Sequence, residues 1–355
     1  MTQILIVGAG VAGMAAAEHL TAAGYAPKLV DKAARPGGRC ATRRIAAELD
    51  ADWFDYGAQY FTVRDEGFRA LVDADLQAGR LAHWSPAIAS AERVAGTWLL
   101  TPSPDDRERL IGPRGLNAWV RQRLQAARLE VATERQVQRI VAEGGRWRID
   151  YADGSAEWAD VVVCTPPAVQ TAALLGPRAV GIDALAHPEA ALAACHSVVV
   201  RGPALPERQA IFFKSGRLSW VADNTHKAGR SGDRHLWTLH ADAQFSESHI
   251  ETPTAELADA LISEFATATA QRASDMEIVR THRWRYARPG PGAPDADELC
   301  WADTDSGLAI AGDWLAGGRI EGAWLSGREA ARRLIAAYAL GHSPGRDKPG
   351  SSRPG

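Results

Sequence analysis

Length, composition and charge already exclude several classes of protein. The chain has 355 residues, enough for about two domains, and its hydrophobic fraction of 46% is typical of a globular protein. A formal net charge of −3 favours neither nucleic acid nor an anionic membrane as partner. No apolar run approaches the roughly 20 residues that span a bilayer. The four cysteines lack metal-ligand or redox spacing, and the first predicted strand begins almost at Met1. We therefore expect a cytoplasmic protein with reduced thiols and no signal peptide.

The first 31 residues predict a dinucleotide-binding βαβ unit. The apolar run 4–7 leads into Gly8-x-Gly10-x-x-Gly13, and a second apolar run, after an alanine-rich segment, ends at Asp31. Gly8 permits the tight turn, Gly10 lets the backbone approach a pyrophosphate, and Gly13 lets helix and strand pack closely. The helix N-terminus would face the phosphates, and Asp31 would bind a ribose 2′-hydroxyl but repel a 2′-phosphate. The motif itself leaves NAD and FAD open.

Hydrophobic periodicity and turn residues divide the rest of the chain. Helices are predicted at 116–127, at 322–340, and from Pro253 to about Gln271 with Thr252 as N-cap. Strands are predicted at 137–141, 147–151, 159–165, 196–201, 209–214, 218–222, 235–241, 277–287 and 308–311. Of these, 161–163 should be buried on both faces, and the strands of the middle region should form an antiparallel sheet. A loop is predicted at 288–297 and disorder from residue 341.

This order predicts two domains, the first of them discontinuous. Residues 1–62, 110–167 and 305–340 should form the nucleotide-binding domain if the last strand joins the N-terminal sheet. Residues 63–109 and 168–304 should form the substrate domain, and 341–355 a tail.

Two stretches near the first motif are candidate contacts of the same ligand. The adjacent Gly37 and Gly38 allow close backbone approach, and Arg39 can pair with a diphosphate. In 55–62, small residues let backbone N–H groups reach a ring edge, and Gln59 can hydrogen-bond in the ring plane. Tyr60 and the residue after it can line a pocket, or they can belong to the core of a strand.

Two later stretches complete the set. Asp313 can bind a ribityl hydroxyl, and the helix that starts near Glu321 would point its positive dipole end at the flavin N1–C2=O edge, where it favours the reduced anion. In 282–289, Trp284 and Tyr286 share one face of a predicted strand, opposite two arginines. That face can line a cavity or simply pack on a sheet.

Together these motifs resemble the FAD-dependent flavoproteins of the amine-oxidase superfamily, and within it the bacterial renalases. The resemblance extends to about residue 340 and rests on the stretches 37–39, 57–62, 103–105, 282–289, and 312–314 with 319–327. It implies an α/β fold with a Rossmann-like FAD-binding domain, a p-hydroxybenzoate-hydroxylase-like antiparallel substrate domain and non-covalent FAD. Many members of the superfamily have Glu at the position of Asp31, and either carboxylate can reach a ribose. The expected FAD contacts are Gly8, Gly10, Val11, Ala12, Gly13, Asp31, Lys32, Gly38, Arg39, Gly57, Ala58, Gln59, Tyr60, Val137, Gly312, Asp313, Glu321, Gly322 and Ala323.

The resemblance further implies oxidation of isomeric dihydro-NAD(P) by hydride transfer to flavin N5, followed by reoxidation with O2 to hydrogen peroxide. Hydride loss from a dihydropyridine requires no proton transfer, so we assign no catalytic acid or base. The protein would align the donor carbon. The expected substrate contacts are Gln59, Tyr60, Phe61, Trp284 and Tyr286.

Other functions remain open at this point. The main alternative is a flavin-dependent amine oxidase, which needs a neutral amine within an aromatic cage. A non-catalytic flavin sensor and a monooxygenase are further alternatives, although neither a signalling domain nor a second glycine motif for NAD(P)H reduction is visible.

Overall fold

The computed structural model describes residues 2–45, 53–188, 191–230, 235–290 and 298–339. Within these ranges the strands are β1 Ile4–Val7, β2 Lys28–Val30, β3 Thr42–Arg44, β4 Trp53–Asp55, β5 Ala82–His83, β6 Ile88–Val94, β7 Thr97–Pro102, β8 Leu110–Ile111, β9 Val131–Ala132, β10 Val137–Glu143, β11 Arg146–Tyr151, β12 Ala156–Ala159, β13 Val161–Cys164, β14 Leu192–Gly202, β15 Ala210–Phe213, β16 Leu218–Asp223, β17 His235–Ala241, β18 Glu277–Pro289, β19 Cys300–Asp303 and β20 Leu308–Ala311. The α-helices are α1 Val11–Ala22, α2 Glu66–Gln77, α3 Leu116–Ala126, α4 Ala168–Leu175, α5 Ala243–Ser248, α6 Thr254–Ala268 and α7 Arg319–Ala339. The tail predicted at 341–355 lies outside the described residues, as do residues 291–297 of the predicted loop.

The chain divides into two compact units. The first contains residues 1–38, 120–191 and 291–355, and the second contains 39–119 and 192–290. These boundaries differ from the predicted domains at 39–62 and 110–119, which fall in the second unit, and at 168–191 and 291–304, which fall in the first. For 39–62, the link to the second unit includes β4 and β17, where the Thr238 hydroxyl donates to the Asp55 carbonyl over 2.7 Å.

A six-stranded sheet forms the centre of the first unit, in the order β19-β20-β13-β1-β2-β9. Adjacent strands in this sheet are parallel, except that the edge strand β19 is antiparallel to β20. The sheet confirms the predicted βαβ unit and the return of the last strand to the N-terminal sheet. It also confirms the burial of Val161–Val163, whose side chains are 0% exposed. Because β1, β2 and β20 are parallel, Gly8, Asp31 and Gly312 follow the carboxyl ends of strands at one edge of this sheet.

Helices α1 and α7 pack against each other in the first unit. A Cβ at Gly327 of α7 would lie far inside van der Waals contact of the Ala12 carbonyl, so only glycine permits this approach. The α7 helix begins at Arg319, three residues before its predicted start at 322. Positive φ angles of 69° and 77° at Gly317 and Gly318 turn the chain directly into the helix.

The second unit is built on a seven-stranded sheet in the order β18-β14-β17-β16-β15-β6-β7. The predicted antiparallel arrangement of the middle strands is confirmed. Strand β6, which was not predicted, joins β15 in parallel and pairs with β7 antiparallel. One face packs on α6, where Trp237, Leu261 and Phe265 belong to one buried cluster. The predicted N-cap of α6 was wrong by one residue, because the extended ψ of 132° at Pro253 makes that residue the cap.

None of the helices in the described ranges is long and apolar enough to cross a membrane.

Candidate cofactor and substrate sites

In the loop after β1, the fold itself requires glycine at two of the three motif positions but not at the third. Gly8 has a φ of 102°, and a Cβ at Gly13 would clash with the Gly8 carbonyl, so packing within the protein explains both. Gly10, in contrast, has an ordinary φ of −79°, and its Cβ would meet only the Gly38 Cα, at 4.0 Å. The open space beside Gly10 therefore fits a ligand that approaches the backbone, as a diphosphate does.

The second glycine pair lies against this loop. The Gly37 N–H donates to the Ala9 carbonyl over 2.9 Å. Helix α1 has no side-chain cap at Gly10, so its first N–H groups and its positive dipole end are available to an anion. These features together form a phosphate cradle at the N-terminus of α1.

The Asp31 carboxylate is fixed at the end of β2. Its Oδ2 accepts from the Ala9 N–H at 2.7 Å and its Oδ1 from the Ala33 N–H at 2.8 Å. A carboxylate oxygen has two lone pairs, so both oxygens can still accept a ribose hydroxyl. The segment 132–135 is hydrogen-bonded to 31–33 and leads to Val137 at the start of β10.

A third part of the first unit follows β20. The Gly312 N–H donates to the Ser326 hydroxyl over 2.7 Å, and the carboxylates of Asp313 and Glu321 are buried. Arg319 has a φ of 69°, which is unusual for a residue with a Cβ and is a form of strain that clusters at ligand sites. Helix α7 begins at this strained residue, and Gly322 and Ala323 lie in its first turn.

The second unit is organised around the buried carboxylate of Asp55, at the end of β4. This residue uses both side-chain oxygens and both main-chain polar atoms. Its partners are Thr42 and the Leu116 N–H at Oδ1, Lys227 and Arg230 at Oδ2, Gln59 and Thr238 at the carbonyl, and Asn224 at the main-chain nitrogen. Burial alone would raise the pKa of Asp55, but the charges of Arg230 and Lys227 outweigh it and lower the pKa to about 2.

Lys227 is fully buried beside Asp55. Its ammonium group donates to Asp55 Oδ2 at 3.2 Å, Gln59 Oε1 at 3.0 Å and Asn224 Oδ1 at 3.2 Å. Burial lowers the pKa of Lys227 to about 7, and the Asp55 charge offsets only part of this effect. The contact also fixes Gln59, whose amide nitrogen donates to the carbonyls of Asp55 and Gly57.

The face of the seven-stranded sheet opposite α6 carries an aromatic cluster around Tyr56. The Tyr56 ring stacks on Trp284 at a centroid distance of 5.5 Å, and His282 meets both rings edge-on. The Tyr56 carbonyl accepts from Ser197, from Trp284 at 3.0 Å and from His240 at 3.3 Å. Three strands therefore hold one peptide group on this face.

The two histidines of this face are neutral at physiological pH. Burial, with the charges of Arg288 and Lys227, lowers the pKa of His240 to about 4, although the hydrogen bond to the Tyr56 carbonyl raises it. Burial also lowers the pKa of His282 to about 4, with a contribution from Arg280. The charges of Arg280 and Arg288 thus act on the histidines of this face.

The predicted substrate contacts have different packing partners. Trp284 lies in the aromatic cluster, while Tyr60 packs between Trp84 and Trp220 at centroid distances of 5.9 and 5.5 Å. Phe61 is 4% exposed and stacks on Trp119, so it belongs to the core. Tyr286 is half-buried on β18.

The predicted cofactor contacts of the second unit lie close together. The Ala58 N–H donates to the Arg39 carbonyl over 3.0 Å, and a Cβ at Gly57 would clash with that same carbonyl. The chain thus needs glycine at 57 for the close approach of these two segments.

Sequence reasoning missed Tyr56, His282, Arg280, Asn224, Lys227 and Arg230. Tyr56 and His282 lie within the stretches 55–62 and 282–289 without being assigned a role, and alternation along β18 could have placed His282 and Arg280 with Trp284. Nothing in the local sequence indicates that the 224–230 loop reaches Asp55.

Comparisons with known proteins agree with this geometry. Residues 6–74 match the model of the NAD(P)-binding Rossmann-like domain, and residues 82–335 match the model of the flavin containing amine oxidoreductases. The second match covers more than half of the chain, so the chain belongs to the flavin-containing amine oxidoreductase family. It is accordingly an FAD-dependent oxidoreductase, and the phosphate cradle and Asp31 fit the diphosphate and ribose of FAD.

Individual relatives give a finer comparison. The chain is 27% identical to renalase of Mus musculus over 187 residues, which is 50% of this chain and 50% of that protein. The aligned region thus spans half the length of that relative. Cyclohexylamine oxidase from Brevibacterium oxydans has a similar fold, with a TM-score of 0.70 and 14% identity over 95% of this chain and 99% of that one. Putrescine oxidase with bound putrescine gives the same TM-score and identity over 94% and 99%.

The open space beside Gly10 leads to a testable prediction. Gly10→Ala should leave the flavin-free protein as stable as the parent, because the added Cβ meets no protein atom closer than 4.0 Å. It should weaken FAD binding by roughly tenfold or more, equivalent to about 1.4 kcal/mol, because it narrows the approach of the diphosphate. Thermal unfolding of the flavin-free protein and a titration with FAD measure the two effects.

Gly13→Ala is the matched control, since its Cβ clashes with the Gly8 carbonyl and should destabilise the fold itself. Unchanged FAD affinity in Gly10→Ala would show that the cradle does not hold the diphosphate.

The charges around Asp55 predict an acid-dependent stability. The folded pKa of about 2 lies below the ordinary value of 3.8, so this carboxylate stabilises the fold above about pH 4 and loses its contribution as the pH falls through about 2. Asp55→Asn should cost about 3–5 kcal/mol near pH 7, because Lys227 and Arg230 remain buried without their anion. The difference in the free energy of unfolding between parent and variant should become smaller by about 2 kcal/mol as the pH falls from 5 to 2. Urea unfolding across this pH range measures it.

Asp153→Asn removes an exposed carboxylate and should change stability by less than about 1 kcal/mol. A parent-to-variant gap for Asp55→Asn that does not depend on pH would contradict the assigned role of the Asp55 charge.

Proposed function

We propose that the chain is an oxidase of dihydronicotinamide nucleotides, acting on isomeric forms of dihydro-NAD(P). Bound FAD would supply the hydride acceptor and pass the electron pair to O2, giving hydrogen peroxide. The observation that carries this proposal is the excess of positive charge around the aromatic cluster of the second unit. The partial match to mouse renalase and the sequence motifs support the same reading.

The charges around the aromatic cluster favour an anionic substrate. Arg280 lies over the Tyr56 ring and the charge of Arg288 acts on His240, while the buried cations Lys227 and Arg230 are paired with the Asp55 carboxylate. A dinucleotide with its phosphates is attracted to such a surface. An alkylamine, which is cationic before it loses its proton, is repelled by it.

The weak basicity of the two histidines in the aromatic cluster supports hydride removal from a dihydropyridine. That step forms an aromatic pyridinium and releases no proton. His240 holds the Tyr56 carbonyl through Nε2, and the low pKa values of His240 and His282 make both weak bases. The task left to the protein is alignment, which the stacked Tyr56 and Trp284 can provide.

We propose that the remaining predicted residues act around this cluster. Trp284 and Tyr286 would contact the substrate ring directly, and Tyr60 would close the pocket with Trp84 and Trp220. Gln59 would hold the 57–60 segment in place through Lys227, and Phe61 would support it from the core.

An amine oxidase remains the second candidate because two structural neighbours are oxidases of amines by name. Their identity of 14% shows only a shared fold. The stacked Tyr56 and Trp284 could also serve as an aromatic cage for an amine.

Anaerobic reduction separates the two functions. The purified yellow protein is mixed without oxygen with dihydronicotinamide isomers in one set and with putrescine, cyclohexylamine and benzylamine in another. We expect the isomers to bleach the flavin absorbance within one turnover and the amines to leave it unchanged. Bleaching by an amine alone would reject the dihydronicotinamide proposal in favour of the second candidate.

Trp284→Ala tests the aligning role of the aromatic cluster. Loss of the stacked ring should lower kcat/KM for the dihydronicotinamide by about 10²-fold, because misplacement by about 1 Å has an effect of that size. FAD content should stay at the parent level, since Trp284 lies outside the phosphate cradle. Steady-state kinetics and the flavin-to-protein absorbance ratio check both parts.

Trp284→Phe keeps an aromatic ring but loses the N–H donated to the Tyr56 carbonyl. Its kcat/KM should therefore lie between those of the parent and the alanine variant. Parent-like kinetics in Trp284→Ala would refute this placement of the substrate.

A further inference from the structure

We propose that Arg280 is the specificity-determining residue that binds the phosphate of the substrate nucleotide. This inference rests on the proposed function and adds to it the recognition of the phosphate group. It starts from an arginine that is half-buried and has no acceptor in the described part of the chain.

Arg280 lies on the same face of the sheet as the aromatic cluster. In the pairing of β18 with β14 it is opposite Val199, while His282 is opposite Ser197 and Trp284 opposite Cys195. Directly opposed residues project to the same side of a sheet, and these positions alternate along β18. The Arg280 guanidinium carbon accordingly lies 4.6 Å from the centroid of the Tyr56 ring.

The guanidinium of Arg280 has no hydrogen-bond acceptor among the described residues, and its Nε is buried. The other arginines of β18 do have one. Arg283 donates to the Ile250 carbonyl, Arg285 pairs with Glu251 at 2.8 Å, and Arg288 donates to the Ala241 carbonyl at 3.1 Å. Stacking on Tyr56 compensates part of the desolvation of Arg280 but leaves its N–H groups unused.

An unused guanidinium beside an aromatic cluster fits a phosphate group. Its planar N–H donors match phosphate oxygens in pairs and form strong charge-assisted hydrogen bonds. Arg280 and Trp284 are four positions apart, about 13 Å along a strand. A ribose and an arginine side chain together can cover that distance when the nicotinamide ring lies against Trp284.

A pair of substrates that differ only in phosphate tests the assignment. Nicotinamide mononucleotide and nicotinamide riboside are titrated into the holoenzyme by calorimetry, and their dihydro forms are compared in turnover. The parent should bind the mononucleotide about tenfold or more tightly than the riboside, as expected for hydrogen bonds to a charged group. In Arg280→Gln this preference should disappear, through weaker mononucleotide binding and a higher KM, with riboside binding unchanged. Arg280→Lys should restore part of the preference for the mononucleotide, and raised salt should weaken that preference.

Arg285→Gln is the matched control, because Arg285 lies on the same strand but on the opposite face and pairs with Glu251. It should keep the parent preference. An equal loss of affinity for both ligands in Arg280→Gln would mean that Arg280 positions the ring or stabilises the fold. A parent without a preference for the mononucleotide would mean that the phosphate binds elsewhere. Either result overturns the inference. If neither dihydro form reduces the flavin, the proposed function fails, and the calorimetric comparison still decides the role of Arg280.

Discussion

The second unit depends on one buried anion, the carboxylate of Asp55. Isolated, it would be strongly destabilising, because a desolvated charge in the protein interior costs several kcal/mol. Lys227 and Arg230 supply opposite charges, and Thr42 and the Leu116 N–H occupy the other oxygen. Segments from β3, β4, α3 and the 224–230 loop therefore meet at one side chain. The position of Tyr56, the next residue along the chain, follows from this arrangement.

The chemistry of the aromatic cluster follows in turn. With Tyr56 held on the sheet face, its carbonyl takes the donors of Ser197, His240 and Trp284, which fixes the His240 proton on Nε2. Burial and nearby arginines keep His240 and His282 neutral. Both histidines therefore present neutral rings to the cluster, and the positive charge beside them comes from Arg280 and Arg288.

The sequence allowed strands of both units to be predicted, including β17 at its exact bounds, but few of the contacts that organise the second unit. Strands β1 and β20 have their predicted bounds, because continuous apolar runs bordered by glycine define buried parallel strands. The contact between Lys227 and Asp55 joins residues 172 positions apart, and no local pattern encodes it. Local sequence also could not separate Tyr60 from Phe61. Phe61 becomes core because its backbone pairs with Leu110 and its ring meets Trp119, both distant in the chain.

The cost of the Asp55 cluster indicates what it contributes. A buried ion pair can often be replaced by apolar residues of similar volume without loss of stability, so stability alone does not explain two cations around one carboxylate. Apolar residues cannot provide directional hydrogen bonds. Lys227 has three acceptors in fixed positions, and one of them is Gln59 Oε1, which sets the orientation of the amide and of the 57–60 backbone. We infer that the cluster exists to hold this segment in one geometry, at the expense of the stability that an apolar core would give.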